Sequence, residues 1–176
     1  MDLEALKFPV GVFTIPESVS EENISDYINT IASFPKWVYE EVKDLSKEEL
    51  NYKYRQEGWS IQQVVNHCID SHMNGIFRFK LALTEDNPTI RPYKENLWAE
   101  LSDTLEYDIE DSVNLLQHVH TRWVFLMKGM SSNDFNKTFY HPESNETFSL
   151  RDYLSLYDWH CRNHLGHIKN AKKYKY

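Results

Sequence analysis

The sequence predicts an all-α four-helix bundle with long crossover connections. Three observations point there. Four long segments carry apolar residues at helical spacing, each behind a Ser or Asp suited to capping a helix. Only five glycines are present, which argues against an all-β architecture with many tight turns. The two later connections are too long for tight helical hairpins and suit crossovers. At 176 residues, 41% apolar and 14% aromatic, the chain has enough material for one domain, residues 1–176, with a sizeable core.

Residues 1–19 read as an irregular arm with Pro9, Gly11 and Pro16. The first helix follows Ser20 and places Ile24, Ile28, Ile31, Val38 and Val42 on one side. Pro35 sits inside it and should kink or split it, because proline lacks the N–H of the helical ladder. Ser46 and Glu49 have the spacing of a capping box, enough for a short extra turn, and residues 50–59 look extended. Ser60 and Gln63 form a second capping box, from which the second helix runs to about Leu83. Residues 84–107, with Pro88 and Pro92, form a long connection with one short helix near Leu97 to Leu101. The third helix covers about Ile109 to Met130, after Asp108. Residues 131–148 form another long connection, and Ser149 caps a fourth helix over about Leu150 to Lys172.

The formal net charge of −8 argues against nucleic acid or an anionic membrane surface as a general partner. The basic run from Lys169 to Lys175 complements a helix C-terminus and needs no ligand. No basic segment followed by an apolar core opens the sequence, and no apolar run approaches the ~20 residues of a membrane span. With two cysteines, Cys68 and Cys161, and no disulfide framework, a cytoplasmic location is expected.

Eight histidines carry the chemistry. A helix turns about 100° per residue, so His160 and His164, four apart, share a face and can bind one metal. His167 lies on the same side but about 10 Å along the axis from His160. That assigns it to the surroundings of a ligand or to a pocket wall. A third ligand must come from elsewhere. On the second helix His67 sits at the edge of the apolar sector, and Ser71, Asn74 and Arg78 continue its line, so Asn74 and Arg78 are pocket candidates. His72, about 140° from His67, falls outside such a site. His120 shares a stripe with Leu116, Trp123 and Met127 and reads as a core histidine, at most behind a ligand. His118 points the other way, and His141 lies in a connection before a proline. Cys68 and Cys161 each follow a proposed ligand but turn toward the apolar face, as buried free thiols.

Three neutral imidazoles suit one divalent ion, zinc first and nickel next. Three protein ligands leave a position open, which is the catalytic pattern rather than the structural one. No glycine-rich phosphate loop, Gly-x-Ser-x-Gly elbow, CxxC pair or HExxH motif is present.

The run Tyr54-Arg55-x-x-Gly58-Trp59-Ser60-Ile61-x-Gln63-Val64-Val65-x-His67-x-x-Asp70-Ser71-His72-Met73-Asn74 resembles the YfiT-type metal-dependent hydrolases of the DinB-like superfamily. Arg78 to Ile90, Arg122-Trp123, Phe139-x-His141-Pro142-Glu143 and Tyr157-x-Trp159-His160-x-x-x-His164-x-x-His167-Ile168 extend the likeness over nearly the whole chain. The resemblance implies a DinB/YfiT-like bundle with down-up-up-down connections. It also implies a metal held by one histidine of the second helix and two of the fourth, and a homodimer. The matching positions are His67, His160 and His164.

The expected activity is that of a metal-dependent hydrolase acting on a small molecule with metal-activated water. Its weak point is the general base, since no carboxylate lies on the inner row and Asp70 is only at its margin. The alternative is a metal-dependent S-transferase using a low-molecular-weight thiol such as bacillithiol, as the wider superfamily includes. A purely structural metal joining two helices is the third reading.

Overall fold

In a computed structural model, which describes residues 2–176, the N-terminal arm is partly ordered as a helix rather than irregular throughout: α1 spans Leu3–Lys7. Asp2 caps it, Leu6 is buried, and the chain beyond it packs against the C-terminal part of the molecule. A methyl group placed on Gly166 would lie 2.6 Å from Pro9 Cγ, so the arm can close on that position only because it is glycine.

The first long helix, α2 (Glu21–Val42), begins at a reciprocal capping box between Ser20 and Asn23. Pro35 does not split it: the helix continues to Val42. The proline removes one bond from the helical ladder. Residue 35 has no N–H, so it cannot donate to the Ile31 carbonyl four residues back, and that buried acceptor must find another partner. Ile31, Phe34 and Val38 are fully buried, each adding about 1.5–3 kcal/mol of apolar burial.

The Ser46–Glu49 box opens a single 3₁₀ turn at Glu49–Asn51. Ser60 and Gln63 then start α3 (Ile61–Thr84), and the Gln63 side chain also bonds the Ala99 carbonyl at 2.9 Å. The connection after α3 holds two short helices instead of one, α4 (Glu95–Trp98) and α5 (Ser102–Glu106). Asp108 caps α6 (Ile109–Lys128). The next connection contains an antiparallel hairpin that the helical pattern did not foretell, β1 (Thr138–His141) and β2 (Glu146–Ser149). Ser149 ends the hairpin and caps α7 (Leu150–Tyr174).

The bundle consists of α2, α3, α6 and α7. Both α6 and α7 pack against α2 and against α3, so successive helices α2 and α3 lie mainly across a diagonal, as do α6 and α7. Diagonal partners cannot be joined by tight hairpins, which accounts for the long connections. The core runs from Val19 to Ala171 with Trp123, Phe79 and Phe139 at its centre. At Gly75 of α3, an added methyl would lie 2.7 Å from Trp123 and 2.8 Å from Tyr157, so glycine is what lets these two rings close over the helix. No described helix is long and apolar enough to cross a membrane.

Candidate metal centre

The diagonal arrangement lays α7 between α2 and α3, and this brings His160 and His164 of α7 against His67 of α3. One nitrogen of each lies within 4.8 Å of the others. His67 Nε2 and His160 Nε2 are 3.3 Å apart. The His67 ring is held by Trp59, with ring centroids 4.6 Å apart. His67 and His164 are buried, while His160 is half-buried and lines a cavity.

The orientation of the His160 ring is set by a chain of histidines. His160 Nδ1 meets His72 Nε2 at 3.0 Å, and His72 Nδ1 meets His120 Nε2 at 2.6 Å. His120 Nδ1 meets the Ile31 carbonyl at 2.5 Å. A carbonyl only accepts, so His120 carries its proton on Nδ1 and its Nε2 is an acceptor. His72 must then donate from Nδ1 and accept at Nε2, and His160 must donate from Nδ1. The remaining His160 nitrogen, Nε2, presents a lone pair to the cluster. The start of this chain is the Ile31 carbonyl, the one deprived of a helical donor by Pro35.

His164 is set in the same way from the opposite end. His167 Nε2 donates to the Lys7 carbonyl at 2.9 Å, leaving His167 Nδ1 to accept from His164 Nδ1 at 3.2 Å. The His164 Nε2 lone pair is thereby free. His167 stacks on Tyr54, with centroids 3.9 Å apart and planes 13° from parallel. Two backbone carbonyls, from α2 and from α1, therefore dictate which nitrogen each of two histidines offers.

Burial keeps these rings neutral. It lowers the His67 pKa to about 4, holds His160 and His164 well below the usual histidine range, and lowers His120 and His167 to about 4. Three convergent, uncharged imidazoles, two of them with the lone pair assigned to Nε2, fit a divalent ion as a donor set.

Beside the cluster, a cavity of about 610 Å³ opens along α3 and α7. Ser71, Arg78, Tyr153, Tyr157 and His160 form its wall, and Tyr93, Glu95, His141 and Glu143 come from the two long connections. His141 and Glu143 thus reach the pocket although they are remote in sequence from the cluster. Asn74 does not line it: its side chain donates to the Asp70 carbonyl at 2.9 Å. Asp70 faces a separate hollow beside Asp103, where burial raises its pKa to about 6. Cys68 and Cys161 are fully buried and unpaired, and burial pushes both thiols up, away from reactivity. His118 is exposed. The expectation that corrects most is His72. It is fully buried and touches His160, a role that its angle from His67 had ruled out.

Comparison with known proteins places this chain in a family. The sequence profile of the DinB superfamily matches residues 38–168. The chain belongs to the DinB superfamily. Within it, proteins from Bacillus cereus (strain 03BB102) and Bacillus thuringiensis subsp. konkukian (strain 97-27), each carrying the name "Putative metal-dependent hydrolase", are 45% identical over 168 residues, covering 96% of both chains. The solved structure of YfiT from Bacillus subtilis, described as a probable metal-dependent hydrolase with an unusual four-helix bundle topology, superposes with a TM-score of 0.93. It shares 38% identity over 96% of this chain and 97% of that one. The mycothiol-dependent maleylpyruvate isomerase shares the bundle at a TM-score of 0.66 and 13% identity, covering 82% of this chain and 60% of that one, a likeness of fold alone.

Proposed function

We propose that this DinB-superfamily chain is a metal-dependent hydrolase of small molecules, with one divalent ion, zinc first and nickel next, held by His67, His160 and His164. The observation that carries the reading is the convergence of three neutral imidazoles within 4.8 Å, two of them with their lone pairs assigned by relays to backbone carbonyls. The names of its bacillar relatives support it. An ion bound there supplies Lewis acidity, polarising a substrate oxygen and acidifying water or a thiol near neutral pH. The protein supplies the rest. His72 and His167 hold the two α7 imidazoles against rotation. Tyr157, whose hydroxyl donates to the Ser71 carbonyl at 2.8 Å, keeps that wall of the pocket rigid. Glu95 and Glu143, exposed at the mouth, are the carboxylates in reach of the pocket for moving a proton to solvent.

A second reading, thiol S-transfer with a low-molecular-weight thiol as co-substrate, is favoured by one feature. Among the described residues, no buried carboxylate lines the pocket beside the histidines. Transfer from a thiol acidified by the ion needs no protein base. The single unit proposed for residues 1–176 also exposes Phe125, at 83%, next to a groove lined by Ile76, Leu83 and Leu126. That apolar surface supports the homodimer.

Metal analysis of the purified protein and of His67→Ala, His160→Ala and His164→Ala tests the site. We expect about one equivalent of ion in the parent and its loss in each variant. Stoichiometric metal retained by all three would end the proposal. Turnover of ester or amide substrates without added thiol supports hydrolysis, whereas turnover of an electrophilic dye only with thiol supports transfer.

A further inference from the structure

The wall that carries His160 also holds a cation that makes no ion pair among the described residues. Arg78 of α3 is only 8% exposed and lines the same cavity. Its Nη1 donates to the Tyr153 hydroxyl, and its guanidinium carbon lies 5.7 Å from the Tyr153 ring centre. Among the described residues no carboxylate comes within ion-pair distance of it. Nor does any acceptor among the described residues meet Nε or Nη2, the two N–H groups on the opposite edge of the fork. A buried guanidinium without an anion is costly. The free edge has the flat, two-donor shape that matches the two oxygens of a carboxylate.

We propose that Arg78 is an anion subsite of this pocket and that the substrate carries a carboxylate there. The proposal rests on the reading of the pocket as the substrate site and names the substrate class. The packing of α3 on α7 says where along the substrate the charge lies. Tyr157 bonds Ser71, and Tyr153 bonds Arg78, so the two helices run past each other from His160 toward Arg78. His160 and Tyr153 are seven residues apart on α7, roughly 10 Å of helical rise. The carboxylate therefore sits about two turns from the imidazole cluster, at the far end of the molecule from the reacting atom. A cavity of about 610 Å³ holds a small molecule of that length. Lys94, Glu95 and Glu143 share the lining, and the two acids match the two cations, so the pocket carries no excess positive charge to hold a dianion. This balance favours a singly charged carboxylate over a phosphate dianion.

The test is a binding titration, by calorimetry and by amide chemical shifts, of the full chain with hexanoate, hexanamide and inorganic phosphate. It is run on the protein as purified and again after zinc removal, so that carboxylate binding is read independently of whether the histidines hold metal. Hexanoate should bind the parent and shift Arg78 and Tyr153 resonances. Hexanamide and phosphate should bind at least about tenfold more weakly, and Arg78→Gln should weaken hexanoate roughly thirtyfold or more, with Arg78→Lys in between. Equal binding of hexanoate and hexanamide by the parent overturns the proposal and needs no variant to fold. So does tighter binding of phosphate, or unchanged hexanoate affinity in a folded Arg78→Gln.

Discussion

Replacing His72 by Phe cuts the longer relay at its centre. The substitution keeps an aromatic ring of similar shape in a fully buried position, but removes the donor to His120 Nε2 and the acceptor for His160 Nδ1. A buried polar group left without its partner costs about 1–3 kcal/mol. His120 is fully buried and sits toward the upper figure, while half-buried His160 can reach solvent and sits toward the lower. The metal-free protein should therefore lose about 2–4 kcal/mol, read from urea unfolding, out of a total of about 5–15 kcal/mol for a domain of ordinary stability. Zinc affinity, measured by competition with a chromophoric chelator, should fall about 10–100-fold, the usual effect of removing the partner that orients a ligating imidazole. His72→Gln, which can both donate and accept, should recover part of each loss. Long-range ¹H–¹⁵N spectra of the metal-free parent give an independent readout. His120, His72, His160 and His164 should carry their protons on Nδ1, and His167 on Nε2. A folded His72→Phe variant that binds zinc as tightly as the parent, or an Nε2–H tautomer at His120, would refute the relay.

Acid should unfold the protein through the same buried rings. His120 has a folded-state pKa of about 4 against an unfolded value of about 6.5, so between those values the unfolded chain binds more protons and stability rises with pH. The contribution is complete above about pH 6.5 and is lost as pH falls toward 4, at about 3 kcal/mol for this one group. Urea midpoints of metal-free protein across that range should show the slope, and His120→Phe should flatten it; a variant with the parent's pH dependence would assign the slope to other groups. Gly75→Ala should destabilise by about 1–3 kcal/mol through overpacking, since its methyl would lie 2.7 Å from Trp123 and 2.8 Å from Tyr157. A thermal midpoint equal to the parent's would show that these rings yield without cost.

The four bundle helices were legible because each announces itself locally. Ser20, Ser60, Asp108 and Ser149 cap them, and the apolar spacing behind each cap has a helical period. The β1–β2 hairpin was not legible, because four-residue strands with partly buried faces leave too short a pattern to distinguish from a connection. Neither was α1, a single turn whose order depends on Leu6 and on contacts with α7. Of the two outcomes expected at Pro35, a kink or a split, the split does not occur, and the helix is continuous from Glu21 to Val42. The helix absorbs the defect, and the freed carbonyl gains a side-chain donor from α6.

What the sequence determined alone about the site is the pairing within one helix, because His160 and His164 are related by helical geometry that no tertiary context changes. It also nominated His67 from its place at the edge of an apolar face. Tertiary structure alone decided that His72 belongs to the same network. His67 and His72 point about 140° apart on α3, yet the His160 ring lies between them and uses one nitrogen toward each. An imidazole has two nitrogens on different edges, so a single ring from a neighbouring helix can join residues that their own helix keeps apart. Only the packing of α7 on α3 could supply that ring.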